Sequence, residues 1–420
     1  MARKLTLEQL PPGWSYKLLD ECAERCSGHT PSKSHPEYWN DGIKWISLTD
    51  TYRLDKGLVT ATDKEISSLG IKNSSAQIHP AGTVVLSRDA GVGKSGVMAE
   101  PMAVSQHFIA WKCDTKKIID KWFLYNWLQL NKGEFERQAV GSTIKTIGLP
   151  FFKKLKIAFP PLPEQQKIAQ ILSTWDKAIT TTEQLIANSK QQKNALMQQL
   201  LTGKKRLVNP ETGDRFEGKW LDVHMGDICQ INPKKTAEPE NGLVSFIPMD
   251  AVSEDAKLLR TEVKNYSDVS KGFTSFKDSD TLIAKITPCF ENGKGAQVNQ
   301  LENGIGFGST EFHVLRAKNG ISAELIYFLT NTTAFRVRGE LNMQGSAGQK
   351  RVTTDYLKLY KVFIPKQLKE QQKIASVLTA ADKEIKLLEA KLAHFKQEKK
   401  ALMQQLLTGK RRVKVAQQAA

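Results

Sequence analysis

The sequence predicts an α+β protein built twice, in the order domain, long helix, domain, long helix, with the two helices packed as an antiparallel coiled coil in a pseudo-twofold arrangement. Two observations predict this fold. The decamer ALMQQLLTGK occurs at 195–204 and again at 401–410 of the 420 residues. The match extends backwards, so that residues 164–206 and 370–412 are identical at 26 of 43 positions with a constant offset of 206. The chain is long enough for several domains, each with its own core.

The segments before each repeat share an order of landmarks rather than an identity. Each begins with a Trp segment, passes through a hydrophobic strand that turns at Gly-Lys, and continues into a Ser-x-x-Phe strand and an aromatic-rich amphipathic helix. Each then closes with Gly-Ser and a strand that ends in Pro. The predicted organisation is a first domain, a central helix, a second domain, a C-terminal helix and a tail, at 1–160, 161–206, 207–366, 367–412 and 413–420.

The two repeats are predicted to be long helices, because they lack internal Gly and Pro until a Thr-Gly pair that suits a helix C-terminus. Their apolar residues follow spacings of four and three, which is typical of a seam that pairs with another helix. A lysine recurs at the same position of both seams, as Lys193 and Lys399. A polar residue in such a seam is predicted to fix the register in which the two helices pair. The alternative is two amphipathic helices that each lie on their own domain. The predicted pairing residues are Ile168, Leu172, Ile179, Ile186, Leu196, Leu200, Ile374, Leu378, Ile385, Leu392, Leu402 and Leu406.

Charge indicates the class of partner. The chain has 61 Lys and Arg against 44 Asp and Glu, a formal net charge of +17. This excess favours a polyanion, and nucleic acid is favoured over a membrane because there is no basic amphipathic anchor, signal peptide or membrane-length apolar run. Five scattered cysteines predict a reducing cytoplasm rather than a disulfide framework.

The two EQQKIA…ALMQQLLTGK segments, preceded by FPPLP and FIPKQL, resemble the specificity subunit of type I restriction–modification enzymes over nearly the whole chain. The resemblance implies two target recognition domains, each reading one half of a bipartite, asymmetric site on double-stranded DNA. It also implies helices that set the spacer and dock two methyltransferase subunits, with restriction/translocase subunits completing the complex. S-adenosylmethionine, ATP and Mg²⁺ would be used by those partners, and no cofactor by this chain. One departure is that Lys366, Gln367 and Lys369 stand opposite the prolines of the first helix start, so the second start is less well defined.

Three segments resemble enzyme motifs but depart from them. AGVGKSG (90–96) lacks the first glycine of a phosphate-binding loop, since that position is Arg88, and is predicted to be a hairpin. NGIGFG (303–308) has no glycine-rich counterpart in the first domain. CAERCSGH (22–29) offers too few ligands for a structural zinc site, so no metal is predicted. The chain also has no Asn/Asp-Pro-Pro-aromatic motif for adenine methylation and no Pro-Asp dipeptide to begin the common nuclease motif. No catalytic residue is therefore predicted.

The candidate DNA contacts lie at the two Gly-Lys turns and in the segments after Gly-Ser. They are Arg88, Lys94, Thr143, Lys145, Lys285, Lys294, Gln349 and Lys350. Lys and Arg would bind phosphates and other side chains would read base edges. Two rival interpretations are a self-contained DNA methyltransferase or nuclease, disfavoured by the missing motifs, and a coiled-coil scaffold whose domains bind proteins.

Overall fold

A computed structural model describes residues 10–346 and 348–415, so the predicted tail lies outside the described residues from position 416 onward. The chain divides into two compact units. Unit 1 comprises the residues up to Glu183 and those from Ala390 on, and unit 2 comprises Gln184–Glu389. Each unit contains one α+β domain, here called head 1 or head 2, and about half of each long helix.

The described part of head 1 contains ten strands and five short α-helices. The strands are β1 Ser15–Leu18, β2 Glu24–Ser27, β3 Trp39–Ile46, β4 Leu58–Val59, β5 Lys64–Ile66, β6 Val84–Ser87, β7 Ser95–Met98, β8 Ala103–Val104, β9 Phe108–Lys112 and β10 Lys156–Phe159. The helices are α1 Leu19–Cys22, α2 Ser68–Lys72, α3 Lys121–Leu130, α4 Lys132–Gln138 and α5 Leu149–Lys153. The first long helix, α6, spans Leu162–Leu200.

The strands of head 1 form a five-stranded sheet in the order β2-β9-β6-β7-β4 and a three-stranded sheet in the order β5-β3-β8. A separate antiparallel pair, β1 with β10, ties the beginning of the head to the strand just before α6. Phe123 and Tyr125 of α3 are buried in one cluster with Trp111 of β9, and the two tryptophans of α3 pack against it. Leu172 of α6 and Leu406 belong to the same cluster, so the long helices complete the core of unit 1.

Among its described residues, head 2 also has ten strands and five short α-helices. The strands are β11 Trp220–His224, β12 Cys229–Ile231, β13 Leu243–Ile247, β14 Glu262–Asn265, β15 Thr274–Lys277, β16 Thr281–Ala284, β17 Gly295–Gln297, β18 Ile305–Gly308, β19 Phe312–Ala317 and β20 Lys361–Pro365. The helices are α7 Met225–Ile228, α8 Tyr266–Val269, α9 Ala323–Thr330, α10 Thr333–Leu341 and α11 Thr354–Leu359. The second long helix, α12, spans Leu368–Leu406.

Head 2 repeats the plan of head 1 with local changes. Its sheet β12-β19-β16-β17 corresponds to β2-β9-β6-β7, and its sheet β14-β13-β18-β15 contains a parallel pair, β13 with β18, as head 1 does in β3 with β8. The outer pair is again antiparallel, β11 with β20. The predicted α+β fold and its duplication are therefore confirmed, although head 1 adds β4 to one sheet and head 2 adds β15 to the other.

The two long helices have equal length, 39 residues each. Both end before a Thr-Gly pair, and Gly203 and Gly409 each have φ of 71°. This left-handed conformation stops a helix with little strain only when the residue is glycine. A Cβ on Gly409 would also lie 2.3 Å from Pro11 Cγ. The predicted segments 161–206 and 367–412 thus each contain a few non-helical residues at their ends.

The predicted pairing residues divide into two groups by burial. The buried group is Ile168, Leu172, Ile186, Leu200, Ile374, Leu378, Ile385 and Leu406. The half-buried group is Ile179, Leu196, Leu392 and Leu402. Within unit 1, Ile168 shares a cluster with Leu406, and within unit 2, Leu200 shares one with Ile374. The beginning of one helix therefore packs on the end of the other in each unit, as expected of antiparallel helices.

Ion pairs fix the register of this packing, and each ion pair in one unit has an equivalent ion pair in the other. In unit 2 the ammonium nitrogen of Lys193 lies 2.6 Å from Asp382 Oδ1, and in unit 1 that of Lys399 lies 2.5 Å from Asp176 Oδ1. Adding 206 to the lysine of the first pair gives the lysine of the second, and subtracting 206 from its aspartate gives the other aspartate. The same holds for a second couple, Lys190 with Glu389 and Lys396 with Glu183. The two units thus pair their helix halves in one register.

A third set of two equivalent ion pairs joins the start of each helix to the end of the other repeat. Arg412 donates from Nε and Nη2 to the two carboxylate oxygens of Glu164 at 2.8 and 2.7 Å, in unit 1. Arg206 does the same to Glu370 at 2.6 and 2.8 Å, in unit 2. The Glu164 and Glu370 side chains are only 6% and 1% exposed, so each buried carboxylate has a bidentate partner.

The glutamine that follows each of these glutamates is also buried. Gln165 accepts from the backbone N–H of Asp120 at 2.8 Å, just before α3, and Gln371 accepts from that of Ser322 at 2.9 Å, just before α9. Each side chain thereby anchors the first turn of the aromatic-rich helix in its own head. The shared Glu-Gln of the repeats has the same two structural tasks in both units.

One position breaks the equivalence of the units. In unit 1, Trp175 and Phe395 form an edge-on aromatic contact with ring centroids 5.7 Å apart. The residues 206 positions away, in unit 2, are Ala381 and Ser189. An aromatic pair in one helix half is therefore matched by two small residues in the other.

Candidate nucleic-acid interface

The Gly-Lys turn of head 1 connects β6 to β7, which pair antiparallel. Gly91 and Gly93 adopt φ of 89° and 83°, which lets the turn fold tightly between the strands. The N–H of Gly93 donates to Ser87 O at 3.0 Å, and Lys94 is half-buried just before β7. A phosphate-binding loop requires a helix after its lysine. Here Lys94 leads into a strand, so the turn is a hairpin, as predicted.

Arg88, a predicted DNA contact in this turn, is held by local groups. Its Nε lies 3.7 Å from Asp89 Oδ1, an ion-pair distance too long for a hydrogen bond. The other carboxylate oxygen of Asp89 is 2.6 Å from His107 Nδ1. The backbone N–H of Arg88 donates to His107 O at 3.0 Å. The side chain of Arg88 is mostly buried, so it faces solvent less than the sequence suggested.

The segment after Gly141-Ser142 forms a small hairpin beside the Gly-Lys turn. An antiparallel bridge between Val140 and Thr146 closes it, with N–O distances of 3.1 and 2.9 Å. The N–H of the next residue, Ile147, donates to Arg88 O at 2.9 Å. The structure therefore brings together the two segments of head 1 from which the DNA contacts were predicted. Thr143 and Lys145 are both exposed on this hairpin.

Lys94 and Lys145 line one pocket of about 320 Å³ in head 1. Lys132 of α4 also lines it, and its Nζ lies 2.6 Å from Asp55 Oδ2. An exposed acid, Glu136, stands on the same rim. Sequence reasoning missed Lys132 because nothing in the pattern places the short helix α4 against the Gly-Lys turn.

Head 2 assembles its candidates in the same way. Val352 donates from its N–H to Lys285 O at 2.8 Å, as Ile147 does to Arg88 O, and Thr287 donates to Lys350 O at 3.0 Å. Lys285 and Lys294 are half-buried, whereas Gln349 and Lys350 are exposed. The predicted turn and the predicted post-Gly-Ser segment are again adjacent.

Arginines that the sequence did not single out hold this surface of head 2. Arg351 donates to both carboxylate oxygens of Glu311 at 3.0 and 2.9 Å, and this lowers the pKa of Glu311. Arg336 of α10 donates to the carbonyl oxygens of Phe290 and Gly293 at 3.3 and 3.2 Å. Burial lowers the pKa of Arg336 to about 10. Arg336 therefore supports the Gly-Lys turn through these two backbone contacts.

The remaining enzyme-like segments have structural explanations. Within NGIGFG, residues Ile305–Gly308 form the buried strand β18, and a Cβ on Gly306 would lie 2.1 Å from Phe276 Cε2. The glycine is required by core packing. In CAERCSGH both thiols are buried and His29 is exposed. No group of three or more His, Cys, Asp or Glu side chains suited to a metal ion occurs within 10–346 and 348–415.

The two α+β heads share one plan and differ in their loops, and halves of both long helices complete the core of each unit. The chain belongs to the family of the type I restriction modification DNA specificity domain, whose model matches it twice, at residues 11–190 and 217–397. The predicted family is thus confirmed. None of the helices in the described part of the chain is long and apolar enough to cross a membrane.

Relatives with curated names agree with this assignment. The chain is 41% identical over 158 residues to the type I restriction enzyme EcoAI specificity subunit of Escherichia coli, a match that covers 37% of this chain and 26% of the relative. The match to the EcoEI specificity subunit covers a similar quarter of that relative. A longer match, 24% identical, covers 93% of this chain and 88% of the MjaVIII specificity subunit of Methanocaldococcus jannaschii.

Solved structures share the fold over almost the full length. The S subunit of a type I restriction–modification system from M. genitalium matches with a TM-score of 0.57 and 14% identity, covering 97% of this chain and 99% of that one. A chain from a structure of type I R-M complex assembly and conformational transition matches with a TM-score of 0.56 and 16% identity, covering 95% of this chain and 99% of that one.

Proposed function

We propose that this chain is the non-catalytic DNA-reading subunit of a type I restriction–modification complex. Each head reads one half of a bipartite, asymmetric site on double-stranded DNA, and α6 and α12 set the spacer between the halves. Two methyltransferase subunits and the restriction/translocase subunits supply the chemistry with S-adenosylmethionine, ATP and Mg²⁺. Because the target is DNA within the cell, the proposed place of action is the cytoplasm.

The observation that carries this proposal is the contrast between the helices and the head loops. The ion pairs of the helices repeat residue for residue at an offset of 206. The loops at the equivalent surfaces of the heads do not, since the hairpin of head 1 closes between Val140 and Thr146 whereas that of head 2 closes between Gln344 and Arg351 and is one residue longer. One frame with two different reading surfaces is what an asymmetric two-part site requires.

The proposal is tested by expressing the chain with its methyltransferase subunits and mapping methylated adenines across a genome by single-molecule sequencing. We expect one motif with two unlike halves separated by a spacer of fixed length. Variants confined to head 2, such as Gln349→Ala, should alter one half only. A motif that changes in both halves, or no motif at all, would refute the assignment of one half-site to each head.

The enzyme alternative predicts a different result for the purified chain. If the proposal is right, a preparation free of methyltransferase subunits neither transfers methyl groups from S-adenosylmethionine nor cleaves DNA. Turnover by that preparation would restore the self-contained methyltransferase or nuclease interpretation.

The scaffold alternative is separated by a mobility shift on random DNA. A DNA-reading subunit should bind at low salt and weaken steeply at moderate salt, because phosphate contacts release counterions. A protein-binding scaffold should show no such shift.

A further inference from the structure

The hairpin of head 1 between Val140 and Thr146 presents two aliphatic side chains to solvent. Val140 is 73% exposed and Ile144 is 57% exposed. The hairpin is anchored at its base, because the next residue, Ile147, is buried and hydrogen-bonded to Arg88 O. Two exposed β-branched residues on an anchored turn indicate a surface that meets an apolar group of a partner.

The surroundings of this hairpin indicate that the partner is an anion. Lys94 and Lys145 line the pocket beside it, and neither ammonium group is within ion-pair distance of a carboxylate in the described chain. Glu136 is the one acid among the residues lining this pocket. Apolar side chains flanked by unpaired lysines fit DNA better than a protein surface, since phosphates neutralise the lysines while a base offers the apolar contact.

The apolar side chain at the tip of the hairpin selects the groove. The hairpin is closed by the single bridge between Val140 and Thr146, and the one apolar group that base pairs offer in a groove is the C5 methyl group of thymine, which lies in the major groove of B-DNA. We propose that Ile144 contacts a thymine methyl in the half-site read by head 1, while Lys94 and Lys145 bind flanking phosphates. This inference rests on the proposed function and adds the base feature that one residue reads.

The equivalent hairpin of head 2 has a different chemistry. It is closed by the bridge between Gln344 and Arg351, and Gly345 adopts φ of 126° where Gly141 has 130°. Its described residues are polar or glycine, with no exposed aliphatic side chain at the tip among them. Head 2 should therefore read bases there by hydrogen bonds, and its half-site should not depend on a thymine methyl at this contact.

The test replaces thymine by deoxyuridine, which removes only the C5 methyl. After the site is mapped, a series of duplexes is made in which one thymine of the head 1 half-site at a time is replaced by deoxyuridine. Fluorescence anisotropy then measures how tightly the complex of this chain and its methyltransferase subunits binds each duplex. One position should weaken wild-type binding about fourfold, the effect of one buried methyl. Ile144→Ala should weaken binding to the unmodified duplex by a similar or larger factor and show no further loss on deoxyuridine at that position. Ile78→Ala, an isoleucine of head 1 outside the hairpin that is 46% exposed, should retain the full fourfold loss.

Several results would overturn the inference. Equal losses on deoxyuridine in the wild type and Ile144→Ala, or no sensitive position, would mean that Ile144 reads no methyl group. Loss of methyltransferase subunits from the Ile144→Ala complex in size-exclusion chromatography would make the hairpin a protein contact instead. Failure of the proposed function is distinct, because the wild-type complex would then fail to prefer the mapped site over a scrambled duplex.

Discussion

Arg412→Ala removes one of the two bidentate ion pairs that join a helix start to the end of the other repeat. Glu164 is 6% exposed, and the hydrogen bonds from Arg412 hold the pKa of its carboxyl below the usual range. Breaking a fully buried pair costs about 3–5 kcal/mol, because the remaining charge has no partner. Since the Arg412 side chain is 41% exposed, water reaches the pair, and we expect a smaller loss of about 2 kcal/mol. In a unit of this size the loss corresponds to a fall of about 4–8 °C in unfolding temperature.

Differential scanning calorimetry of the variant at pH 7 measures this loss, and the neighbouring Arg411→Ala serves as the matched control. Arg411 is exposed and forms no ion pair in the described chain, so its substitution should stay within about 0.5 kcal/mol. Because the folded pKa of Glu164 is depressed, the pair stabilises above the unfolded pKa of a glutamate, and that stabilisation is lost as the pH falls through the folded pKa. The difference between Arg412→Ala and the wild type should therefore shrink from pH 7 towards pH 3. Equal effects of the two arginine substitutions, or a difference that grows as the pH falls, would refute the reasoning.

Three further predictions concern pairing, phosphate contacts and spacing. A fragment of residues 1–206 contains an equivalent of both members of each helix ion pair, so two copies should dimerise, as light scattering measures. With methyltransferase subunits, the dimer should methylate an inverted repeat of one half-site, as methylation mapping measures. Lys94→Ala should weaken binding to all DNA sequences alike and lower the salt slope by about one, and Lys294→Ala should do the same, as measured by titrations at several salt concentrations. Four residues inserted after Glu183 and four after Glu389 add about 6 Å to each helix, so the mapped spacer should lengthen by one to two base pairs with both half-sites unchanged.

Each of these predictions has an outcome that contradicts it. Fragments 1–206 and 207–420 that both stay monomeric at high concentration would mean that the helices do not pair as like copies. A changed sequence preference with an unchanged salt slope would make Lys94 a base reader. Altered half-sites with the original spacer would show that the helices do not measure distance.

The helices were predictable from the sequence because their signal is local and periodic. The spacing of Ile168, Leu172 and their equivalents follows the helical repeat, and these residues are buried. The recurrence of Lys193 and Lys399 marked a polar position, but their partners, Asp382 and Asp176, could not be identified. The choice of partner depends on the register in which the two helices pack, and the amino-acid sequence of each helix alone does not specify that register.

The candidate surface was predictable only in part, because it depends on contacts between distant segments. The Gly-Lys turn and the post-Gly-Ser segment are some 50 residues apart, and the hydrogen bond from Ile147 N–H to Arg88 O that joins them is a contact between segments distant in the sequence. Lys94 and Lys145 share a pocket as a result. Arg88 was harder to assess, since its position beside the buried Asp89 removes much of its exposure.

The contact between Trp175 and Phe395 affects which helices can pair. Every helix ion pair of this chain can also form between two copies of either repeat, so charge alone does not distinguish like from unlike partners. Two first repeats would set each Trp175 against Ser189, and two second repeats would set each Phe395 against Ala381. Only the first repeat paired with the second places aromatic on aromatic, a contact worth about 0.5–1.5 kcal/mol beyond its buried area. A single aromatic pair thus gives two nearly interchangeable helices a preference for each other, and that preference keeps two different heads on one frame.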